Sequence, residues 1–282
     1  MALAKYPVKS LAKALKLLDA LGKSGTGASI ATLSADLKIG KSTVHRLLAT
    51  LREFDLVWFD PETSTYALGT RILRWSDLLA RQNLVIRHGL PILKGLVEAS
   101  HETANLAILE GTEIIFVARF ESSHRLRMSD QVGGRNPAHC TSLGKALLST
   151  LSEHEFQALY KGVESLKQMT PNSITSTDKL WAHLQKVREE GVAYDFEENV
   201  PGGVCLGTLV RNFTGKAVAA MSVSMPTQRL RGDILITLKE HLLVAANQLS
   251  SELGFLGAKT ATAEPPQRST SARAPKPAAV QG

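Results

Sequence analysis

Only two cysteines occur in 282 residues, Cys140 and Cys205, and they form no CxxC pair. A disulfide framework is excluded, and a reducing compartment, the cytoplasm, is expected. Apolar runs are short: none approaches the ~18–20 residues that span a bilayer. The start of the chain, Met1 to Pro7, lacks the long apolar stretch of a secretory signal. Neither a membrane partner nor export is expected. Catalytic signatures are also missing, with no HExxH, no Walker loop and no GxSxG. His139 and Cys140 are neighbours, and adjacent side chains on extended backbone point apart, which argues against a shared thiol or metal site. The expectation is a non-enzyme with no catalytic residue, no metal and no cofactor.

What is present is a globular composition, 44% apolar and 21% charged, in a chain long enough for two domains. The net charge of +7 is unevenly spread. Residues 1–90 carry 13 Lys/Arg against 7 Asp/Glu, residues 91–258 carry 16 against 18, and residues 259–282 carry 4 against 1. A basic first third on a near-neutral body points to a polyanion as that third's partner, with a solvated basic face as the alternative.

The first element reads as a helix. Val8, Leu11, Leu15 and Leu18 form one stripe, ended by Gly22 and the run Gly25-Thr26-Gly27. A short helix over 29–37 follows, with Ile30, Leu33 and Leu37 on one face. Lys38-Ile39-Gly40 breaks the chain. A third helix over 41–54 buries Val44, Leu47, Leu48 and Leu51. Its opposite face carries Lys41, Ser42, Thr43, His45, Arg46 and Thr50. Two β-prone runs, 56–59 and 65–68, flank a turn at 60–64 and predict a hairpin. A helix over 70–88, with Ile72, Trp75 and Leu79 along one side, is the candidate for a linker that also pairs subunits.

Beyond Pro91 the pattern is mixed. Helices are expected near 93–100, 142–150, 152–160, 177–191 and 232–253. Strands are expected near 104–109, 113–120, 125–129, 192–195, 205–211 and 217–224, with 132–137 as a loop. Strands paired antiparallel with helices beside them predict an α+β domain. Residues 257–282, rich in Ala, Pro, Ser, Thr and Arg without apolar period, read as a disordered tail.

Three short helices and a hairpin make a winged helix-turn-helix if the third helix reads DNA. In that motif the N-terminal residues of the recognition helix reach base edges in the major groove. Lys, Ser, Thr and Arg can bond phosphates, and Arg pairs bidentately with guanine. Lys41, Ser42, Thr43, His45, Arg46 and Thr50 are therefore the candidate contacts to a double-stranded DNA operator. The competing description is a three-helix packing unit with an ordinary polar surface. The coincidence of basic excess, polar third helix and hairpin within 70 residues argues against it. A nucleoid-type binder would share the basic N-terminus but would not need a 160-residue near-neutral domain.

Residues 8–73 resemble the N-terminal domain of the isocitrate-lyase-regulator (IclR) family of bacterial transcription factors. The matching stretches are Leu11-Ala12-Lys13-Ala14-Leu15-Lys16-Leu17-Leu18, the run from Lys41-Ser42-Thr43 to Leu51, and Tyr66-Ala67-Leu68-Gly69. Where the family usually has Gly-Leu-Pro this chain has Lys38-Ile39-Gly40, and Asp55 stands where a Gly commonly ends the recognition helix. The resemblance continues to about residue 255, through 136–146, through Gly191 to Cys205 with its acidic cluster, and through the strand ending Ser222-Val223-Ser224. It implies an α+β protein: an N-terminal winged helix-turn-helix (1–69), a linker helix (70–88), a C-terminal GAF-like effector-binding domain (89–256) and the tail (257–282). It also implies a homodimer or homotetramer regulated by a small organic-acid or aromatic effector.

Carried over residue by residue, the effector site is Ser142 and Leu143 through their amides, with Asp195, Cys205, Ser222 and Ser224. Free N–H groups at a helix start suit a carboxylate, and Ser222 and Ser224, two apart on a strand, share a face. Leu126 and Met128 form an apolar wall on the same argument. Leu143, bulkier than the Gly or Ala of some relatives, suggests an apolar or aromatic part of the effector. Each residue has a plainer alternative. Ser142 caps its helix, Cys205 is a buried small residue, Asp195 bonds a nearby loop, and Glu197-Glu198 are solvated or paired with Arg.

Overall fold

The computed structural model describes residues 8–128 and 130–257. The disordered-tail reading for 258–282, the reading of Met1 to Pro7 and the end of the strand expected at 125–129 lie outside the described residues.

The N-terminal unit has helices α1 (Lys9–Ser24), α2 (Ile30–Leu37) and α3 (Lys41–Glu53), then β1 (Val57–Asp60) and β2 (Thr65–Leu68). Ser29 caps α2 by accepting the Thr32 N–H at 3.1 Å. The turn into α3 places Lys38 in the left-handed region at φ 52, and Asp55 leaves α3 at φ 56. Both departures from the family pattern therefore adopt the conformation that glycine would enter more easily. Leu17, Leu21, Leu33, Val44, Leu48, Leu51 and Val57 close one core. Full burial of each such side chain stabilises by about 1.5–3 kcal/mol. The hairpin pairs Val57 with Leu68 and Asp60 with Thr65, and Ala28 bridges Tyr66 to tie α2's approach to the wing.

The first helix corrects the sequence reading. Its core face is Leu17 and Leu21, whereas Leu11 and Leu15 of the predicted stripe are 58% and 54% exposed, and Val8 is exposed as well. Apolar spacing identifies a helix face, not what covers it. The helix expected over 70–88 is two helices. α4 (Arg71–Gln82) has no buried residue, and the chain turns at Asn83. Asn83 caps α5 (Leu84–Ser100) by accepting the N–H groups of Val85 and Ile86. α5 runs through Pro91 without a break, although an interior proline costs a helix about 3 kcal/mol; burial of Ile92, Leu93 and Leu96 against the sheet offsets it.

The C-terminal unit is built on a six-stranded sheet, order β5-β4-β3-β8-β7-β6, antiparallel at every pairing. Its strands are β3 (Thr103–Glu110), β4 (Glu113–Phe120), β5 (Arg135–Pro137), β6 (Ala193–Phe196), β7 (Gly203–Arg211) and β8 (Ala217–Pro226). Residues 125–128 form no strand, and the third strand instead arises at 135–137, inside the segment expected to be loop. Period-2 alternation divides β8 cleanly. Ala219, Met221, Val223 and Met225 face α5 and the last helix, α9 (Ile234–Glu252). Ala220, Ser222 and Ser224 face the other side. That side is covered by α6 (Ser142–Leu148), α7 (Glu153–Leu159) and α8 (Thr177–Glu190), packed through Leu143, Leu147, Phe156, Leu180 and Leu184.

Candidate functional site

Two surfaces carry the chemistry. On the first, α3 buries Val44, Leu48 and Leu51 and turns the residues between them outward. Lys41, Ser42, His45, Arg46 and Thr50 are exposed and Thr43 is half-buried, so five of the six expected contacts lie free on one helix and the sixth lies at its edge. Thr50 Oγ1 donates to the Arg46 carbonyl at 3.1 Å, which occupies its proton but leaves its oxygen free to accept. The unit's positive end is thus a helix N-terminus with Lys41 on it and Arg46 one turn on.

The second surface is a cavity on the α6 side of the sheet, with about 370 Å3 of non-atom space when the open solvent at its mouth is included. Strand register builds its floor in two adjacent rows. One row runs Arg119, Asn105, Ser222, Gly207 across β4, β3, β8 and β7, and the next runs Thr103, Ser224, Cys205, Asp195 across β3, β8, β7 and β6. The roof is the start of α6. A Cβ on Gly207 would lie 2.7 Å from the Ser142 carbonyl carbon and 3.0 Å from the Leu143 nitrogen, so only glycine lets the first turn of α6 descend this far. Thr141, not Ser142, caps that turn, accepting the Gly144 N–H at 3.1 Å. The Ser142 and Leu143 N–H groups have no intrahelical acceptor.

Seven of the eight expected effector residues line this one cavity: Met128, Ser142, Leu143, Asp195, Cys205, Ser222 and Ser224. Leu126 does not. It is 58% exposed, and its carbonyl accepts from Arg229 at 3.0 Å. The expected apolar wall rested on a strand that does not form, and without pleat alternation Leu126 and Met128 share no face. Residues not singled out from sequence complete the lining, among them Asn105, Phe116, Asp130, Asn136 and Asn199. Their signal is register, which single-strand patterns do not carry.

Polar groups dominate the electrostatics. Asp195 is buried and accepts the Glu198 N–H at 2.7 Å. Burial nevertheless pushes its carboxyl up to about 7. Burial likewise pushes the Cys205 thiol well above its ordinary value and that of Cys140 up to about 12, so both sulfurs are neutral thiols near neutral pH. Glu198 is neither solvated nor paired with arginine. It forms an ion pair with Lys145 of α6, whose side chain is 0% exposed. That pair fastens α6 to the loop carrying Asn199 and Val200. Among the described residues no group of three His, Cys, Asp or Glu side chains is arranged to hold a metal, and no helix is long and apolar enough to cross a membrane.

The packed helices, hairpin wing and outward basic face of α3 define a DNA-binding regulator of the winged helix-turn-helix class, joined to an α+β unit. Comparison with known proteins narrows that class. Residues 10–61 match the IclR helix-turn-helix domain and residues 77–251 match the bacterial transcriptional regulator IclR C-terminal domain. The chain belongs to the IclR family of bacterial transcriptional regulators. Among its relatives, the HTH-type transcriptional repressor AllR of Escherichia coli K12 is 30% identical over 252 residues, covering 89% of this chain and 93% of AllR. The crystal structure of an IclR transcriptional regulator from Alicyclobacillus acidocaldarius superposes with a TM-score of 0.76 at 27% identity, covering 88% of this chain and all of that one. An IclR homolog from Microbacterium hydrocarbonoxydans, complexed with 4-hydroxybenzoate, shares the fold. Its TM-score is 0.74 at 21% identity, over 86% of this chain and 98% of that one.

Proposed function

We propose that this regulator reads its operator through Lys41, Ser42, Thr43, His45, Arg46 and Thr50, and answers to a small organic acid, aliphatic or aromatic. The acid sits among Met128, Ser142, Leu143, Asp195, Cys205, Ser222 and Ser224. The observation that carries this reading is the convergence of those seven residues, drawn from five separate chain segments, on one cavity with unpaired helix-start N–H groups in its roof. Phe116 and Leu143 supply an apolar side for a ring, and 4-hydroxybenzoate, bound by a protein of the same fold, is one acid of this class.

In this reading residues 1–69 form the DNA-reading unit, 70–88 the connection and 89–256 the effector unit. The working state is a homodimer or a homotetramer, which gives at least two reading heads for an operator of two half-sites. The apolar residues that α4 leaves uncovered, Leu73, Trp75 and Leu79, support pairing through the connection. Effector in the cavity alters how the connecting helices hold the two heads, and the affinities for DNA and effector are then reciprocally coupled. The test is a gel-shift titration on the intergenic DNA beside the protein's own gene, with wild type and Arg46→Ala, with and without 4-hydroxybenzoate, benzoate, glyoxylate or pyruvate. Specific binding lost in Arg46→Ala and shifted by one of the acids is expected. Equal binding to any DNA, or no response to any of the four acids, would overturn the respective half of the proposal.

A further inference from the structure

The row Arg119–Asn105–Ser222 fixes the direction of every hydrogen bond in it. The Arg119 side chain is only 5% exposed, and a guanidinium has donors and no acceptor. It donates to the Asn105 side chain at 3.2 Å, so the Asn105 atom facing it is the carbonyl oxygen whichever way an amide might be drawn. The Asn105 NH2 group must then face the other way. It donates to Ser222 Oγ at 3.2 Å and Ser224 Oγ at 3.1 Å. Each hydroxyl, having accepted from Asn105, keeps its own proton to give. Among the described residues no protein acceptor takes the Ser222 proton, and the alternative near Ser224 is the thiol of Cys205, a weak acceptor. Both serines line the cavity.

Resting on the effector reading above, we infer that Asn105, oriented by Arg119, is the specificity-determining residue of the cavity: by occupying an acceptor site on Ser222 and Ser224 it leaves their protons to be given, which favours the acceptor oxygens of a carboxylate over a donor group of the same shape. Asn105 and Arg119 are positioning residues, since the donated protons belong to Ser222 and Ser224. Loose contacts of Arg119 with Asp130 and Glu121, both at 3.7 Å, leave its charge incompletely balanced. Among the described residues its Nε has no hydrogen-bond partner. An anion in the cavity adds to the balance, and a cation subtracts from it.

The experiment compares two isosteric probes, 4-hydroxybenzoate and 4-hydroxybenzamidine, by calorimetry on wild type and Asn105→Asp. An aspartate at this position still accepts from Arg119, but its second oxygen accepts from the serines. Their protons turn inward and their oxygens face the cavity. A fold defect would weaken both probes, whereas the polarity argument predicts an exchange. Wild type prefers the acid by roughly 30-fold or more, and Asn105→Asp loses about that factor for the acid while gaining at least about tenfold for the amidine. Wild type that binds the amidine as well as the acid, or Asn105→Asp that keeps the acid, overturns the inference and leaves the effector reading intact. Should Asn105→Asp fail to fold, the uncharged Asn105→Leu takes its place: it should lose most of the wild-type preference for the acid, and an unchanged preference overturns the inference. Wild type that binds none of 4-hydroxybenzoate, benzoate, glyoxylate and pyruvate overturns the effector reading and this inference with it.

Discussion

Replacing Lys145 with methionine isolates the ion pair that joins α6 to the 195–203 loop. The methionine fills most of the lysine's volume, so packing changes little. What changes is Glu198, left buried with no cation, and one of its oxygens already lacks a partner. Breaking a buried pair by removing one partner costs about 3–5 kcal/mol. In a unit of this size each kcal/mol moves Tm by about 2–4 °C, so Lys145→Met should melt roughly 6–20 °C below wild type. The double variant Lys145→Met/Glu198→Gln carries no charge at either position and should recover most of that loss.

The sign with pH follows from Glu198. Burial already raises its pKa against the lowering by Lys145, and without Lys145 the rise is larger. A carboxyl whose folded pKa exceeds its unfolded value costs stability as pH climbs from the unfolded value towards the folded one. The deficit of Lys145→Met should therefore be small near pH 4.5 and grow towards pH 8. Thermal melts of the three proteins at pH 5 and pH 8 check this. A single variant within 1 °C of wild type at pH 8, or a double variant no better than the single, would refute the reasoning.

Acid binding should itself depend on pH through Asp195. With its carboxyl near 7, amid Lys145, Glu198, Cys140 and Cys205, it is a neutral donor at pH 6 and a repelling anion at pH 8. An organic acid that binds only beside the neutral form should bind about tenfold more weakly at pH 8 than at pH 6, and Asp195→Asn should flatten that profile in calorimetry. Gly144→Ala should not yield a folded effector unit: its Cβ would lie 2.2 Å from the Ala138 carbonyl oxygen. Soluble, cooperatively melting protein would contradict the packing described. Asp55→Gly should stabilise the N-terminal unit by a few tenths to about 1 kcal/mol, because glycine enters φ 56 without the steric cost. Urea melts of the two proteins measure it, and a lower midpoint for glycine would show that the Asp55 side chain matters more than its backbone.

The sequence alone determined those features that depend on neighbours along the chain. The helix of Lys41 to Glu53 with its buried Val44, Leu48 and Leu51, the hairpin behind it, and the alternation that sets Ser222 and Ser224 on one face of β8 are all local periods. Recognition of the family pointed to Ser142, Leu143, Asp195 and Cys205, which the fold brings to one cavity. Tertiary structure decided the rest, because it concerns partners distant in the chain. The exposure of Leu11 and Leu15 follows from which helix face the other elements cover, and the placement of Leu126 outside the cavity follows from a strand that formed ten residues later than expected. The polar row depends on register. Arg119 meets Asn105, and Asn105 meets Ser222, only because β4, β3 and β8 pair at those residues. A slip of one position would turn the whole polar row to the other face of the sheet.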